Sequence, residues 1–125
     1  MSSYASFEEP DCWQKCRKVR LWLENFIANK INEKDFDMIQ NLRRAGRSST
    51  RNIAEGFGRF HYKENIQFCR ISRGSLFEIK VDLIICLDEN RVSEKEVRQG
   101  LSLTNDAIFS INGYIKYLNS RVNNQ

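Results

Sequence analysis

The C-terminal third of the chain carries a seven-residue apolar repeat that restricts the fold more than any other feature. Apolar or small residues recur there at alternating spacings of four and three: Val97, Leu101, Thr104, Ile108, Ile111, Ile115 and Leu118. This spacing forms one stripe along an α-helix and is typical of helices that pack side by side. Ser93 and Glu96 have the spacing of a capping box, which predicts the helix start. The repeat therefore predicts an all-α fold.

The rest of the chain divides into three more helical segments. We predict helices over about 11–31, 35–56, 62–87 and 93–120, joined by short polar connections. The only proline is Pro10, so no later position forces a helix to break. A chain of 125 residues, 41% of them apolar, is the size of one domain. We predict a single domain over 1–125 that forms an antiparallel up-down four-helix bundle.

The second predicted helix has two faces of opposite character. One face is small and apolar, which favours close packing against a neighbouring helix: Leu42, Ala45, Gly46, Ser49, Ile53 and Gly56. The other face is cationic, and the cations continue beyond the next turn: Arg43, Arg44, Arg47, Arg51, Arg59 and Lys63. Residues 43–73 contain eight Lys or Arg and two Glu, a local charge of +6, so the rest of this +4 chain sums to −2. A basic segment on a near-neutral body indicates an acidic partner.

The six cationic residues are candidate nucleic-acid-binding residues. Guanidinium groups bind phosphate oxygens in pairs, and a row spaced about 6 Å apart along a helix can follow a phosphate backbone. Phe57, Phe60 and Tyr62 are candidates for stacking on unpaired bases. We therefore expect RNA or DNA as a partner, bound with little sequence specificity. The alternative is a solvated face, or arginines that pair with acids across subunits.

Two acids near this face are candidate ion-pair partners. Glu55 follows Arg51 by one helical turn, which allows a pair within the helix. Glu78, on the third predicted helix, is predicted to pair with an arginine of the second. For Glu55 the alternative is a general base, and we expect the structural ion pair instead.

The third predicted helix carries two apolar stripes. The main stripe contains Phe68, Ser72, Leu76, Ile79, Leu83 and Cys86, and the second contains Phe77, Val81 and Ile84. A helix of a monomeric bundle needs a single buried face, so a second stripe indicates a contact between subunits. We predict that the second stripe is an oligomer contact. The alternative is a monomer in which the N-terminal segment 4–7 covers this stripe.

The sequence offers little support for catalysis or metal binding. Cys12 and Cys16 lie one helical turn apart, but no second ligand pair accompanies them, and structural zinc needs four ligands. With one histidine, His61, no nucleophile–base pair is indicated. We expect no enzyme activity, no cofactor and no metal. The N-terminus lacks the pattern of a signal peptide, so we expect a cytoplasmic protein with reduced thiols.

Two segments give the chain a family resemblance. LRRAGRSSTRNIAEGFGR, residues 42–59, and IQFCRISRGSLFEIKVDLIICLDEN, residues 66–90, resemble the four helix bundle protein family, also called the S23 ribosomal protein or 23S rRNA intervening-sequence protein family. Gly46 stands where the family usually has alanine, and Cys69 and Cys86 replace other apolar residues. These differences affect packing more than any proposed contact.

The resemblance implies an assembly and a class of partner. Members of this family are four-helix bundles that assemble into rings, often homopentamers, and some are encoded within intervening sequences of 23S rRNA genes. A related branch, the accessory variability determinant (Avd) of diversity-generating retroelements, binds nucleic acid and a reverse transcriptase. The resemblance therefore implies a homo-oligomer with RNA or DNA, or a nucleic-acid-handling protein, as partner. The competing interpretation is a protein-interaction scaffold whose arginines serve subunit contacts.

Overall fold

The computed structural model describes residues 4–124. The regular secondary structure in this range is helical. In chain order the helices are α1 (Asp11–Lys30), α2 (Phe36–Gly58), α3 (Tyr62–Asp88) and α4 (Glu94–Arg121), followed by a short 3-10 helix (Val122–Asn124). Residues 4–124 contain no β-strand. The predicted all-α class is therefore confirmed, and each predicted helix boundary lies within two residues of the observed one.

The helix ends follow local hydrogen-bonding rules. Ser93 caps α4: its hydroxyl accepts from the Glu96 amide, and the Glu96 carboxylate accepts from the Ser93 amide at 2.8 Å, as the capping box predicts. Beyond α3, Asn90 adopts a left-handed conformation with φ of 57°. Between α2 and α3 the left-handed residue is Phe60, with φ of 53°, and neither nearby glycine takes that role. Short connections then join each helix to the next.

The core lies between the four helices. Each helix packs against the helix before and after it, and α1 also packs against α4. The largest fully buried apolar side chains come from all four: Val19, Leu23, Leu42, Ile53, Leu76, Ile79, Leu83, Val97, Ile111 and Leu118. In the α4 repeat, only Leu101 is half-buried instead of buried. None of the helices within residues 4–124 has both the length and the apolar character needed to cross a membrane.

The small face of α2 packs closely against neighbouring helices. A Cβ atom added to Gly46 would lie 3.1 Å from Leu23 Cδ1 and 3.6 Å from the Cα atom of Arg20, both in α1. A Cβ added to Gly56 would lie 2.6 Å from Asn65 Oδ1 and 2.9 Å from Phe68 Cβ, both in α3. The predicted close packing is confirmed, and it involves α1 at one position and α3 at the other.

Buried polar groups connect α3 with its neighbours. The Ser72 hydroxyl donates to the Ser49 carbonyl of α2 at 2.7 Å, and Asn65 Nδ2 donates to the Tyr114 hydroxyl of α4 at 3.3 Å. Within the described chain, no buried side-chain nitrogen or oxygen lacks a hydrogen-bond partner. Because unpaired polar groups are costly in a core, these bonds favour one register of α3 over alternatives.

The substitution Gly56→Ala should lower the free energy of unfolding by about 1–3 kcal/mol, because the added methyl overlaps the side chain and backbone of α3. Chemical denaturation measures this change. Gly113→Ala is the matched control: it lies inside α4 with nothing within 4 Å of an added Cβ, so it should stabilise by up to about 1 kcal/mol. An equal gain in stability from both substitutions would contradict the close approach at Gly56.

Candidate nucleic-acid interface

Four of the six predicted cationic residues line one groove on α2. The groove encloses about 480 Å³ and is lined by Gln40, Asn41, Arg43, Arg44, Arg47 and Arg51. We call it the arginine groove. Its position follows from the helix itself, since the opposite side of α2 is buried against α1 and α3. Every lining side chain is polar or cationic, so the groove suits a hydrated anionic ligand better than an apolar one.

Arg43 is bound to an acid of α1. Its Nε donates to Glu24 Oε1 at 2.8 Å, and its Nη2 donates to Glu24 Oε2 at 3.0 Å. This bidentate pair lowers the pKa of Glu24 below its usual range and raises the pKa of Arg43. Arg43 therefore connects α2 with α1, and its guanidinium is already occupied at the edge of the groove.

Arg44 and Arg59 are also paired within the chain. Arg44 Nη2 lies 3.5 Å from Glu78 Oε2 of α3, so the predicted pairing of Glu78 with α2 is confirmed. Arg59 Nη2 lies 3.1 Å from Glu55 Oε1, and its guanidinium lies over the Phe68 ring. The predicted pair of Glu55 with Arg51 is wrong, because Glu55 pairs with the arginine one turn after it. These acids belong to the same chain as the arginines they bind.

Arg47 and Arg51 remain available in the groove. Both side chains are exposed, they lie one helical turn apart, and neither forms an ion pair with another residue of the 4–124 range. Lys63 lies elsewhere, in a depression of about 360 Å³ that it shares with His61, Val122 and Asn123. The six predicted residues therefore separate into paired arginines, two available arginines and a distant lysine.

Two of the three predicted stacking rings are unavailable. Phe57 is 9% exposed and Tyr62 is 4% exposed, so the prediction that they stack on bases is wrong. The cause is their position on the inner faces of α2 and α3, which the turn between these helices brings together. Phe60 is 65% exposed, and its ring centroid lies 6.1 Å from that of Phe57.

The second stripe of α3 is exposed. Phe77, Val81 and Ile84 are 48%, 54% and 45% exposed. The N-terminal segment does not cover them, because the Tyr4 ring packs edge-on against Tyr114 and the neighbouring Tyr117 of α4. The monomer alternative that relied on this segment is therefore wrong, while the role of the stripe in an oligomer stays a prediction.

A second groove, which sequence reasoning missed, runs beside this stripe between α2 and α3. It encloses about 350 Å³ and is lined by Asn41, Arg44, Gly74, Phe77, Glu78, Val81 and Asp82. We call it the acidic groove. Burial, together with the nearby Glu78 carboxylate, raises the pKa of Asp82. The two grooves share Asn41 and Arg44 and are therefore neighbours. The sequence signal that could have predicted this groove is the spacing of Glu78 and Asp82, which lie four residues apart beside the apolar stripe of α3.

The four cysteines are buried and free, as their apolar spacing indicates. Burial raises the pKa of Cys16 to about 11 and that of Cys69 to about 12. Cys16 lies 3.8 Å from the Ser72 hydroxyl inside the core. Residues 4–124 contain no group of three or more His, Cys, Asp or Glu placed to hold a metal ion. The thiols therefore act as small core residues.

The fold and the site define a small all-α protein of four helices with a cationic groove on the second. The family model for the 23S rRNA-intervening sequence protein matches residues 8–113, and the chain belongs to that family. The family resemblance of the two central segments is thereby confirmed. Searches of curated proteins and of solved structures found no match.

The Glu24–Arg43 pair predicts a pH-dependent contribution to stability. Because the folded pKa of Glu24 is lowered from about 4.5, the pair stabilises above the unfolded pKa, and this contribution is lost as pH falls through the folded pKa. Glu24→Gln should cost roughly 0.2–1 kcal/mol at pH 7, the range of solvent-exposed ion pairs. Unfolding curves at pH 7 and pH 3 measure the loss. Glu33→Gln is the control, because it removes the same charge from an exposed residue that forms no ion pair within residues 4–124. Equal effects of the two substitutions would contradict the pair.

The buried thiols predict low reactivity in the folded protein. At pH 8, a disulfide reagent such as DTNB should modify the four cysteines far more slowly than a free thiol, because burial disfavours the thiolate. The same reagent should modify all four at once after denaturation in guanidinium chloride. Rapid modification of a folded sample would contradict the buried positions.

Proposed function

We propose that the protein is a non-catalytic, oligomeric nucleic-acid-binding protein that contacts RNA or DNA through phosphate. The observation that carries this proposal is the pair Arg47 and Arg51, exposed, unpaired within the described chain and one turn apart in the arginine groove. Two guanidinium groups at this spacing fit successive anionic groups of a backbone. Arg43 and Arg44, the other two arginines of the groove, then add positive charge beside this pair.

The composition of the groove favours weak sequence specificity. Beside the arginines it offers the amides of Gln40 and Asn41, which hydrogen-bond to phosphate or sugar oxygens as readily as to bases. With Phe57 and Tyr62 buried, base stacking has less support than backbone contact. We therefore expect affinity to depend mainly on salt and little on sequence.

The proposed assembly is a ring of antiparallel up-down bundles, with five subunits as the family resemblance implies. The short connections and the contacts between α1 and α4 support the up-down order: Asp11 accepts from Ser110, and Lys30 lies 3.2 Å from Glu96. The exposed stripe Phe77, Val81 and Ile84 supports self-association. A ring repeats the arginine groove, so that weak contacts become multivalent.

A second candidate function is a protein-interaction scaffold. The observation that favours it is the pairing of Arg43, Arg44 and Arg59 with acids of the same chain. If Arg47 and Arg51 meet acids of another subunit or protein, the arginine groove serves assembly instead of phosphate binding. The two proposals differ in what charge reversal at these residues does to the oligomer.

The proposal also includes a class of partner and a cellular compartment. The family name refers to intervening sequences of 23S rRNA, which is compatible with an RNA-associated role. If the chain is related to Avd, a reverse transcriptase is a candidate partner. We place the protein in the cytoplasm, where its four free thiols stay reduced.

Fluorescence anisotropy with a labelled single-stranded RNA and a duplex DNA, at low and near-physiological salt, tests the proposal. The double substitution Arg47→Glu and Arg51→Glu should abolish binding of the RNA and the DNA, while the oligomer persists. In wild type, the logarithm of affinity should fall with the logarithm of salt by about 0.9 for each duplex phosphate contacted.

The double substitution Lys95→Glu and Arg98→Glu is the matched control. It removes the same charge from exposed residues of α4 that form no ion pair within the described chain. It should keep most of the affinity. No binding by wild type at low salt would overturn the nucleic-acid proposal, and dissociation of the oligomer by the Arg47 and Arg51 substitutions would favour the scaffold.

A further inference from the structure

The acidic groove contains two carboxylates and one cation, Arg44. Glu78 is held by Arg44 at 3.5 Å, but Asp82 forms no ion pair or hydrogen bond within residues 4–124. Asp82 is half-buried beside the exposed Phe77 and Val81. A partly desolvated carboxylate in an apolar groove is unfavourable alone, and a cation from outside would offset this cost.

The exposed side of α1 has the opposite character. Leu21 is 49% exposed, and Arg17 and Lys18 precede it by one helical turn. Neither cation forms an ion pair within the described range. We call Arg17, Lys18 and Leu21 the α1 surface. It presents one apolar side chain beside two cations, which complements apolar side chains beside two acids.

Other exposed apolar residues fit the acidic groove less well. Phe109, 81% exposed, has Asp106 one turn before it and no Lys or Arg within a turn. Phe36 belongs to the side of α2 that carries Gln40 and the arginine groove. Ile71 and Phe60 also have two cations within one turn, but one cation of each set is already bound: Arg73 donates to Asn112 and Arg59 pairs with Glu55. Leu21 differs from them because neither Arg17 nor Lys18 forms an ion pair within residues 4–124.

We propose that the α1 surface of one copy docks into the acidic groove of a second copy, with Leu21 against Phe77 and Val81 and with Lys18 beside Asp82. This inference rests on the self-association proposed above and specifies the two surfaces that meet. The two surfaces differ from each other and lie on different helices, α1 and α3. Each of these helices packs against both α2 and α4. Contacts between unlike surfaces run head to tail and form a ring when the rotation closes.

The docking also positions the arginine groove. Because the two grooves share Asn41 and Arg44, a neighbouring α1 seated in the acidic groove would lie next to Arg47 and Arg51. Each seam between subunits would then carry the available arginines of one copy alongside the α1 cations of the next. A phosphate backbone bound there would contact two subunits.

Charge exchange between the two surfaces tests the docking, with mass measured by light scattering. Lys18→Asp and Asp82→Lys should each weaken association by about tenfold or more, because like charges then face each other. The mass should move from that of the oligomer toward the 14.8 kDa of one chain. Combining both substitutions in one chain should restore the oligomer, because the pair is reversed.

A second variant and a control keep the result interpretable. Leu21→Gln removes the apolar contact from an exposed helix position and should also weaken association, whereas Lys116→Asp, an exposed lysine of α4, should leave the mass unchanged. An oligomer that survives Lys18→Asp and Leu21→Gln would overturn this docking while leaving self-association intact. A monomeric wild type would overturn both, and RNA anisotropy on the same samples would still test the arginine groove separately.

Discussion

The close approach of α2 to its neighbours is the constraint on which the rest of the structure depends. A Cβ added at Gly56 would overlap Asn65 and Phe68 of α3, and one added at Gly46 would lie 3.1 Å from Leu23 Cδ1 of α1. The Ser72–Ser49 hydrogen bond also joins α2 to α3. Because one side of α2 is committed to these contacts, its other side must face outward. The arginines of that side therefore form a continuous surface without any need for a loop or a cavity to gather them.

The same helix explains why the arginines differ from one another. Those that reach a neighbouring helix find an acid there: Arg43 meets Glu24 of α1, and Arg44 meets Glu78 of α3. Arg47 and Arg51 line the same groove and form no ion pair within residues 4–124. Paired arginines at the edges support the position of α2, and the central pair keeps its charge available. Counting cations alone would have treated all of them as equivalent.

Much of the fold was predictable because it depends on local periodicity. The four-three repeat of α4 and the Ser93 capping box determine a helix whatever lies around it. The small face of α2 also predicted a close contact, although not which helix supplies it. Features that depend on tertiary placement were not predictable: Glu55 selects Arg59, the rings of Phe57 and Tyr62 turn inward, and the Trp22 ring covers Gly100 at a distance that excludes a Cβ.

The acidic groove shows why the site was only partly predictable and what its neighbours imply. The sequence predicts an arginine partner on α2 for Glu78, but only the packing of α2 against α3 places Glu78 and Asp82 together beside the exposed stripe. Acids there would repel a phosphate backbone, so we expect nucleic acid to bind the arginine groove and not the apolar stripe. The surface instead separates into a cationic part suited to polyanions and an acidic, apolar part suited to a basic helix. That separation allows binding and assembly to occur side by side on adjacent grooves.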